Sequence, residues 1–395
     1  MRFKKIVFVR YLPLTKAIYT DLYFEELIKN NFSVEYLDVS ALFSLQKAPT
    51  SAFEFSNTII INSYKQLDSY LSMNSNERVL FISIMTYDGI VIKLFRHFTK
   101  YKVKLGVFAR GVFPNYQTDE KFQIKKYIKV LKFQSLYNFC ANKLAYLFKK
   151  YEIIKTYDII FKAGNYGFWG LGIGSDLDIK NAEIVNVNTI DYDQYIISKA
   201  QIESIENDRI VFLDQYLPYH PDAINFKIKP VEPIRYYQEL NSFFDKLEIV
   251  LGKKIIIAAH PKAEKYKSMN PFKEREIFFN QSNYLVKTSS LVLTHASTAV
   301  CFPICYQKQI VLISSKQINE TLPHFNLTSK AIELACDAKL IDIDANNEII
   351  IPSLINEEKY INYKYNYLTS TQSENILSKN IFINYLKSDF KRINA

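Results

Sequence analysis

Short apolar, β-branched runs punctuate this chain, separated by stretches long enough for helices. In the first half the runs are Ile6–Val9, Val34–Val39, Thr58–Ile61, Val79–Ile84, Val103–Phe108, Asp158–Phe161 and Glu183–Val187. The second half offers Ile210–Leu213, Lys254–Ala258, Leu291–Thr294, Ile310–Ile313 and Leu340–Ile343. Most are apolar nearly throughout rather than alternating, the mark of strands buried on both faces in parallel sheets covered by helices. Thr20–Asn30, "TDLYFEELIKN", predicts one such helix: Leu22, Leu27 and Ile28 are apolar, acids lie early, and Asn-Asn ends it.

With 395 residues the chain exceeds what one core usually supports, so two domains are expected. The fold class is α/β, with two doubly wound Rossmann-like domains and a cleft between them. Residues 1–190 form the first domain and 191–208, "DYDQYIISKAQIESIEND", the linker. Residues 209–373 form the second domain, and 374–395 a C-terminal helix that could pack back on the first. Ligands of such sheets bind beyond the carboxyl ends of the strands, so polar residues there carry most weight.

Four strand ends stand out. "IVFLDQYLPYHPD" sets Asp214 directly after an apolar run, with Tyr216, Tyr219 and His220 crowded behind it. That is more polar chemistry than a turn needs, although a capping carboxylate is the plain alternative. "KKIIIAAHPKAE" ends in His260-Pro261; proline bars the preceding residue from helical geometry and so aims His260 off the strand tip. There an imidazole donor suits a phosphate or carboxylate oxygen, or serves as an ordinary structural hydrogen bonder. "LVLTHASTAVCFPIC" places Ser297 or Thr298 at the start of a helix, where N–H groups favour an anion or are simply capped. His295 adds a second imidazole, and Pro303 predicts a kink or a later helix start. Finally, "DIIFKAGNYGFWGLGIGSD" holds five of the nine glycines, from Gly164 to Gly174. No Gly-Lys-Ser/Thr follows, so a nucleotide-hydrolase phosphate loop is not expected. Gly164 and Asn165 are better read as part of a flexible loop lining the cleft.

Hydrophobic content of 48% and charged content of 23% are ordinary globular values. The net charge of +10 points to an anionic partner: nucleotide, nucleic acid or membrane surface. Lys121–Lys150 interleaves lysines with aromatic and aliphatic residues at helical spacing. It is either a solvated face over a core or a basic amphipathic surface for anionic lipid. No recognisable nucleic-acid module accompanies these lysines, so nucleic acid is not an expected partner. The four cysteines form no CxxC pair and have no histidine at zinc spacing, so neither a structural metal nor a metal cofactor is expected. Free cysteines, an N-terminal apolar run of only four residues and no long apolar stretch point to a cytoplasmic protein, with the inner face of the membrane as a docking place.

An α/β first half, a junction, an aspartate after the first strand of the second half, His-Pro after the next, and "THAST" before "KQIVLI" together resemble the GT-B glycosyltransferases. More narrowly the pattern is similar to bacterial surface-polysaccharide enzymes that use CMP-activated acidic sugars, the Kdo transferases and sialyltransferases. The resemblance has specificity over residues 205–315; the first half matches in architecture alone. It implies that His260, Pro261, Ser297 and Thr298 hold the phosphate and cytidine of a nucleotide-sugar donor, with His295 beside them. It also implies that Asp214 takes the place of the acidic residue implicated in catalysis by retaining Kdo transferases. Around Asp214 the letters of that motif are not reproduced. The Asp/Glu-Asp/Glu-Gly triplet of inverting sialyltransferases is missing too; its nearest relative is "YDG" at Tyr87–Gly89, so the stereochemistry stays open. No cofactor is implied beyond the donor. The partner is a glycan or lipid-linked glycan acceptor, as in lipopolysaccharide or capsule synthesis. "DYD" at Asp191–Asp193 is formally an Asp-x-Asp motif, and both acids could also approach the acceptor from the junction, as could Tyr216 and His220. Rival readings are a CDP-polyol phosphotransferase of the teichoic-acid type, a non-catalytic scaffold and a nucleic-acid-binding protein.

Overall fold

The computed structural model describes residues 1–43, 52–115, 133–199, 208–221, 223, 228–345, 351 and 354–388. The chain falls into two compact units, divided after Thr189 and again after Leu368, so that Thr369 and the helix beyond it belong to the first unit; the short segment Phe113–Gln117 is grouped with the second.

The first unit is a seven-stranded parallel sheet. Its strands are β1 (Lys5–Arg10), β2 (Ser33–Asp38), β3 (Thr58–Ile60), β4 (Val79–Ser83), β5 (Lys104–Ala109), β6 (Ile159–Ala163) and β7 (Glu183–Val187), in the order β3-β2-β1-β4-β5-β6-β7. Alternate residues serve opposite faces, as the pleat requires. Val7, Val9 and Phe81 face Phe95, Phe98 and Tyr157, while Ile6, Phe8, Leu80 and Phe161 face Phe24 and Phe382. Phe382 belongs to the helix Ser378–Lys387 and packs edge-on to Phe108 and Phe161. The C-terminal segment thus covers the sheet of the first unit. Asn188 pins its approach: Thr369 donates to Asn188 Oδ1 at 2.6 Å, and Asn188 Nδ2 donates to the Ile376 carbonyl at 2.8 Å.

The second unit carries β8 (Arg209–Leu213), β9 (Lys254–Ala259), β10 (Ile277–Phe279), β11 (Ser289–Thr294), β12 (Gln309–Ser314) and β13 (Lys339–Asp342). All are parallel, in the order β10-β9-β8-β11-β12-β13. Counted from its own first strand, this is the 3-2-1-4-5-6 order of a dinucleotide-binding sheet. Both units are therefore doubly wound and Rossmann-like, as the strand pattern predicts.

Several local expectations differ from what is observed. Thr20–Asn30 is not one helix: Lys16–Asp21 and Phe24–Lys29 are separated at Tyr23, whose φ of 63° is left-handed. β10 was not foreseen. The segment read as a linker begins with the helix Ile190–Lys199, which packs within the second unit; Asn283 Nδ2 donates to the Gln194 carbonyl at 2.9 Å, and the Tyr195 and Tyr306 rings lie 5.0 Å apart. Residues 200–207 of that segment lie outside the described residues. So do 121–132 of the lysine-rich stretch, whose remainder is the helix Phe133–Lys150. Lys149 from that helix is not a surface lysine. Its ammonium is buried 2.5 Å from the equally buried Asp178 carboxylate and lies over the Tyr87 ring.

Candidate functional site

In a doubly wound sheet the ligand crevice opens beside the first strand, where connections leave in opposite directions. In the second unit that point lies at the carboxyl ends of β8 and β11. Asp214 and Gln215 follow β8, and His295–Thr298 follow β11; His260 follows β9, on the other side of β8. Two strand spacings, about 10 Å in all, separate the tips of β9 and β11. Because every strand is parallel, all these residues share one edge.

At the tip of β9, Pro261 takes the second place of a β-turn closed by Ala263 N–H donating to the His260 carbonyl at 2.9 Å. The Lys262 amide donates to His260 Nδ1 at 3.1 Å. That bond fixes the tautomer: in the neutral ring the proton sits on Nε2, which is then a donor. His260 is half-buried, and the His220 ring lies edge-on to it, 4.9 Å between centroids. Lys265, exposed on the following turn, sits 3.7 Å above the Tyr219 ring. Two imidazoles thus meet where the sequence predicts an anion, with one lysine on the turn that follows.

At the tip of β11, the hydroxyl of half-buried Ser297 accepts from the Ala299 amide at 3.2 Å and caps a 3-10 turn, Thr298–Val300. Thr298 is exposed. The α-helix proper starts at Cys301, so Pro303 lies in its first turn, where its missing N–H costs no hydrogen bond. The proline therefore marks the later start and not a kink.

His295 requires a correction. It is fully buried; Nδ1–H donates to the Ile313 carbonyl at 2.7 Å, and Nε2 accepts from the Tyr236 hydroxyl at 2.9 Å. Burial pushes its pKa down to about 4. A neutral, doubly bonded imidazole packed against Phe212 and Phe325 is a core group, not a ligand donor. Tyr216 is corrected likewise: it is buried between Tyr219 and Tyr266 with a left-handed φ of 56°.

Asp214 lies where the sequence places it, at the centre of the edge, but it does not face solvent. It is 5% exposed, and neither carboxylate oxygen has a partner within hydrogen-bonding geometry. Burial pushes its pKa up to about 7; the nearby amides of Tyr216, Gln215 and His260 and the Tyr266 hydroxyl offset part of that rise. Beside it, Gln215 Nε2 donates to the Ala296 carbonyl and ties the tips of β8 and β11 together, leaving Gln215 Oε1 buried and unpaired. Gln215 and Tyr266 were missed from sequence. Gln215 could have been found, since it follows Asp214 directly; nothing in the turn Glu264–Lys267 marks Tyr266.

The other candidates lie on other elements. Asp191 and Asp193 form the acidic first turn of the helix Ile190–Lys199, where they complement its dipole. Two residues apart on a helix, they face different directions and cannot chelate one ion together. Gly164, at a left-handed φ of 66°, and exposed Asn165 follow β6 in the first unit. Among the described residues no group of three or more His, Cys, Asp or Glu side chains could hold a metal ion. No described helix is long and apolar enough to cross a membrane.

No protein-family model matches the chain, and no curated protein does. Among solved structures it is similar to the UDP-GlcNAc 2-epimerase of Methanocaldococcus jannaschii in complex with UDP-GlcNAc and UDP, with 11% identity, 97% of this chain and 99% of that one covered, and a TM-score of 0.42. Similarity to S. aureus MnaA with UDP covers 98% of this chain and 96% of that one, at 11% identity and a TM-score of 0.43. For the wall teichoic acid polymerase TagF the figures are 97%, 88%, 11% and 0.46. Likeness at this level carries no residue correspondence, so the chemistry is read from this chain's own side chains.

Proposed function

We propose that the protein is a GT-B-type glycosyltransferase that holds a nucleotide-activated sugar at the carboxyl edge of its second sheet. One observation carries the reading: His260 and the Ser297–Thr298 pair follow the strands on either side of β8 at one edge of a 3-2-1-4-5-6 sheet, and the tip of β8 carries a buried carboxyl group of raised pKa. In glycosyl transfer the bond from anomeric carbon to phosphate oxygen breaks, and negative charge grows on the departing phosphate. His260 Nε2–H and the Ser297 and Thr298 hydroxyls are donors suited to that charge. Lys265, on the turn that follows His260, adds positive charge to this edge. Asp214, withdrawn from solvent, does not meet the sugar in this conformation. It acts from beneath, as a positioning residue among the amides of Gln215, Tyr216 and His260.

The donor in this reading is a CMP-activated acidic sugar of the Kdo or sialic-acid type, and the acceptor a lipopolysaccharide or capsular glycan. The helix Phe133–Lys150 supports a membrane-bound acceptor. It exposes Tyr137, Phe139, Leu144 and Leu147 beside exposed Lys143 and Lys150, a composition suited to an anionic lipid surface. Cosedimentation with phosphatidylglycerol vesicles, but not with phosphatidylcholine vesicles, is the expected sign.

The deciding experiment is a thermal-shift panel of CMP, CDP, UDP and GDP, repeated with His260→Ala. Stabilisation by CMP that disappears in the variant supports the assignment. A shift with CDP alone favours polyol-phosphate transfer, and no shift with any nucleotide ends the transferase reading.

A further inference from the structure

The glycine-rich loop after β6 is the sequence motif that the phosphate edge does not absorb. Its backbone is docked tightly against neighbouring strand ends. A Cβ on Gly167 would lie 2.5 Å from the Ala109 carbonyl oxygen. One on Gly172, at φ 91°, would lie 2.4 Å from the Tyr87 carbonyl oxygen. The same Tyr87 carbonyl accepts from the Ile173 amide at 2.8 Å, and the Tyr87 amide donates to the Leu171 carbonyl at 3.3 Å. The loop is therefore a built element, contrary to the flexible loop expected from its glycines.

What this loop presents is an aromatic pair. Tyr166 and Trp169 stack with centroids 4.3 Å apart and planes within 14°, and Trp169 is 42% exposed. On the same turn, Gly170 and Leu171 wall a cavity of about 180 Å³ at the carboxyl ends of β4 and β5, completed by Ser83, Met85, Thr86 and Phe108 among others. Among the described residues no charged side chain lines it; Arg110, stacked over the Phe108 ring, donates instead to the Asp21 carbonyl and the Tyr23 hydroxyl. Exposed Thr86 brings a hydroxyl to its mouth.

We propose that this turn and cavity form a subsite for an uncharged pyranose ring stacked against the Tyr166–Trp169 pair. A pyranose has an apolar C–H face and a rim of hydroxyls. Flat aromatic rings, negative on their faces, suit the first. Neutral hydroxyls and backbone groups suit the second without stripping water from a charge. An anionic group would meet no cation among the described lining residues, and burying it unpaired is costly. The specificity follows: the acceptor end held here is a neutral sugar, not a polyol phosphate or an anionic headgroup. The acceptor role rests on the transferase reading; binding of the ring itself does not.

The chain has a single tryptophan, so the subsite carries its own reporter. Titration with chitotriose, maltotriose, mannotriose and glycerol 3-phosphate is followed by Trp169 emission. The expected result is a saturable change with at least one neutral trisaccharide and none with glycerol 3-phosphate. Thr86→Tyr fills the mouth while leaving Trp169 in place, and weakens binding at least about tenfold. Unchanged circular dichroism and tryptophan emission without sugar show that this variant is folded. No response to any of the three trisaccharides, an equal response in Thr86→Tyr, or saturable binding of glycerol 3-phosphate overturns the proposal. The titration contains no nucleotide, so a CMP-induced thermal shift alongside a flat sugar titration removes this subsite and leaves the transferase reading standing.

Discussion

Asparagine at position 214 offers a sharp test of the site's electrostatics. In the folded protein the Asp214 carboxyl titrates near 7, against 3.8 for an unperturbed aspartate, because burial disfavours its charged form. The unfolded chain therefore releases a proton that the folded protein keeps. Stability from this group is greatest below pH 3.8 and is lost as pH rises through 7. Roughly three pH units at 1.36 kcal/mol each give a loss of about 4 kcal/mol, of which about 3 kcal/mol falls between pH 4.5 and 8.5. His295 acts in the opposite sense: its pKa is lowered, so it destabilises as pH falls below 6.5. That contribution is common to wild type and Asp214→Asn and cancels in their difference. Urea unfolding at five pH values, followed by circular dichroism, supplies the difference. Trp169, in the first unit, gives that unit its own fluorescence transition as an internal control. Asp214→Asn should gain about 3 kcal/mol relative to wild type from pH 4.5 to 8.5. A difference that does not change with pH would refute the reasoning, because the carboxyl would then be hydrated or paired in the fold.

Four substitutions separate structural from functional roles. Asp178→Ala strands the Lys149 ammonium in the core of the first unit and should destabilise that unit by about 3–5 kcal/mol, read from Trp169 fluorescence in urea. Gly172→Ala drives a methyl group against the Tyr87 carbonyl from a left-handed backbone, and a loss of at least about 2 kcal/mol is expected in the same assay. His295→Ala opens a cavity and strands the Tyr236 hydroxyl, which should cost about 3 kcal/mol while leaving nucleotide affinity of the folded protein unchanged. His260→Ala should do the reverse, and calorimetric titration with CMP distinguishes the two.

The strand pattern was legible because the central strands are buried on both faces and so read as apolar runs. β10 escaped because its apolar run is only three residues long and stands between charged and polar neighbours. The break at Tyr23 left no trace because it lies in the backbone and not in the hydrophobic period. His260 and His295 look alike in sequence, each closing an apolar strand. They part company in three dimensions, where Tyr236 and the Ile313 carbonyl enclose one, while the His-Pro turn keeps the other half-exposed. Asp214 was found by position, but its burial was invisible, since Tyr216 and Tyr266 approach it from separate turns. Trp169 carried the clearest unread signal, a lone tryptophan amid glycines.

The helix Ser378–Lys387 has a consequence for synthesis. As the chain leaves the ribosome, all seven strands of the first sheet emerge long before the segment that covers Phe108 and Phe161. The main body of the second Rossmann-like unit, Ile190–Leu368, is translated in that interval. Folding of the nascent protein is thus ordered against its sequence: the unit begun first is finished last, with a greasy flank waiting for its closing piece. A stop codon shortly after Leu368 should leave the phosphate edge assembled on a sound second unit and the first unit prone to aggregate.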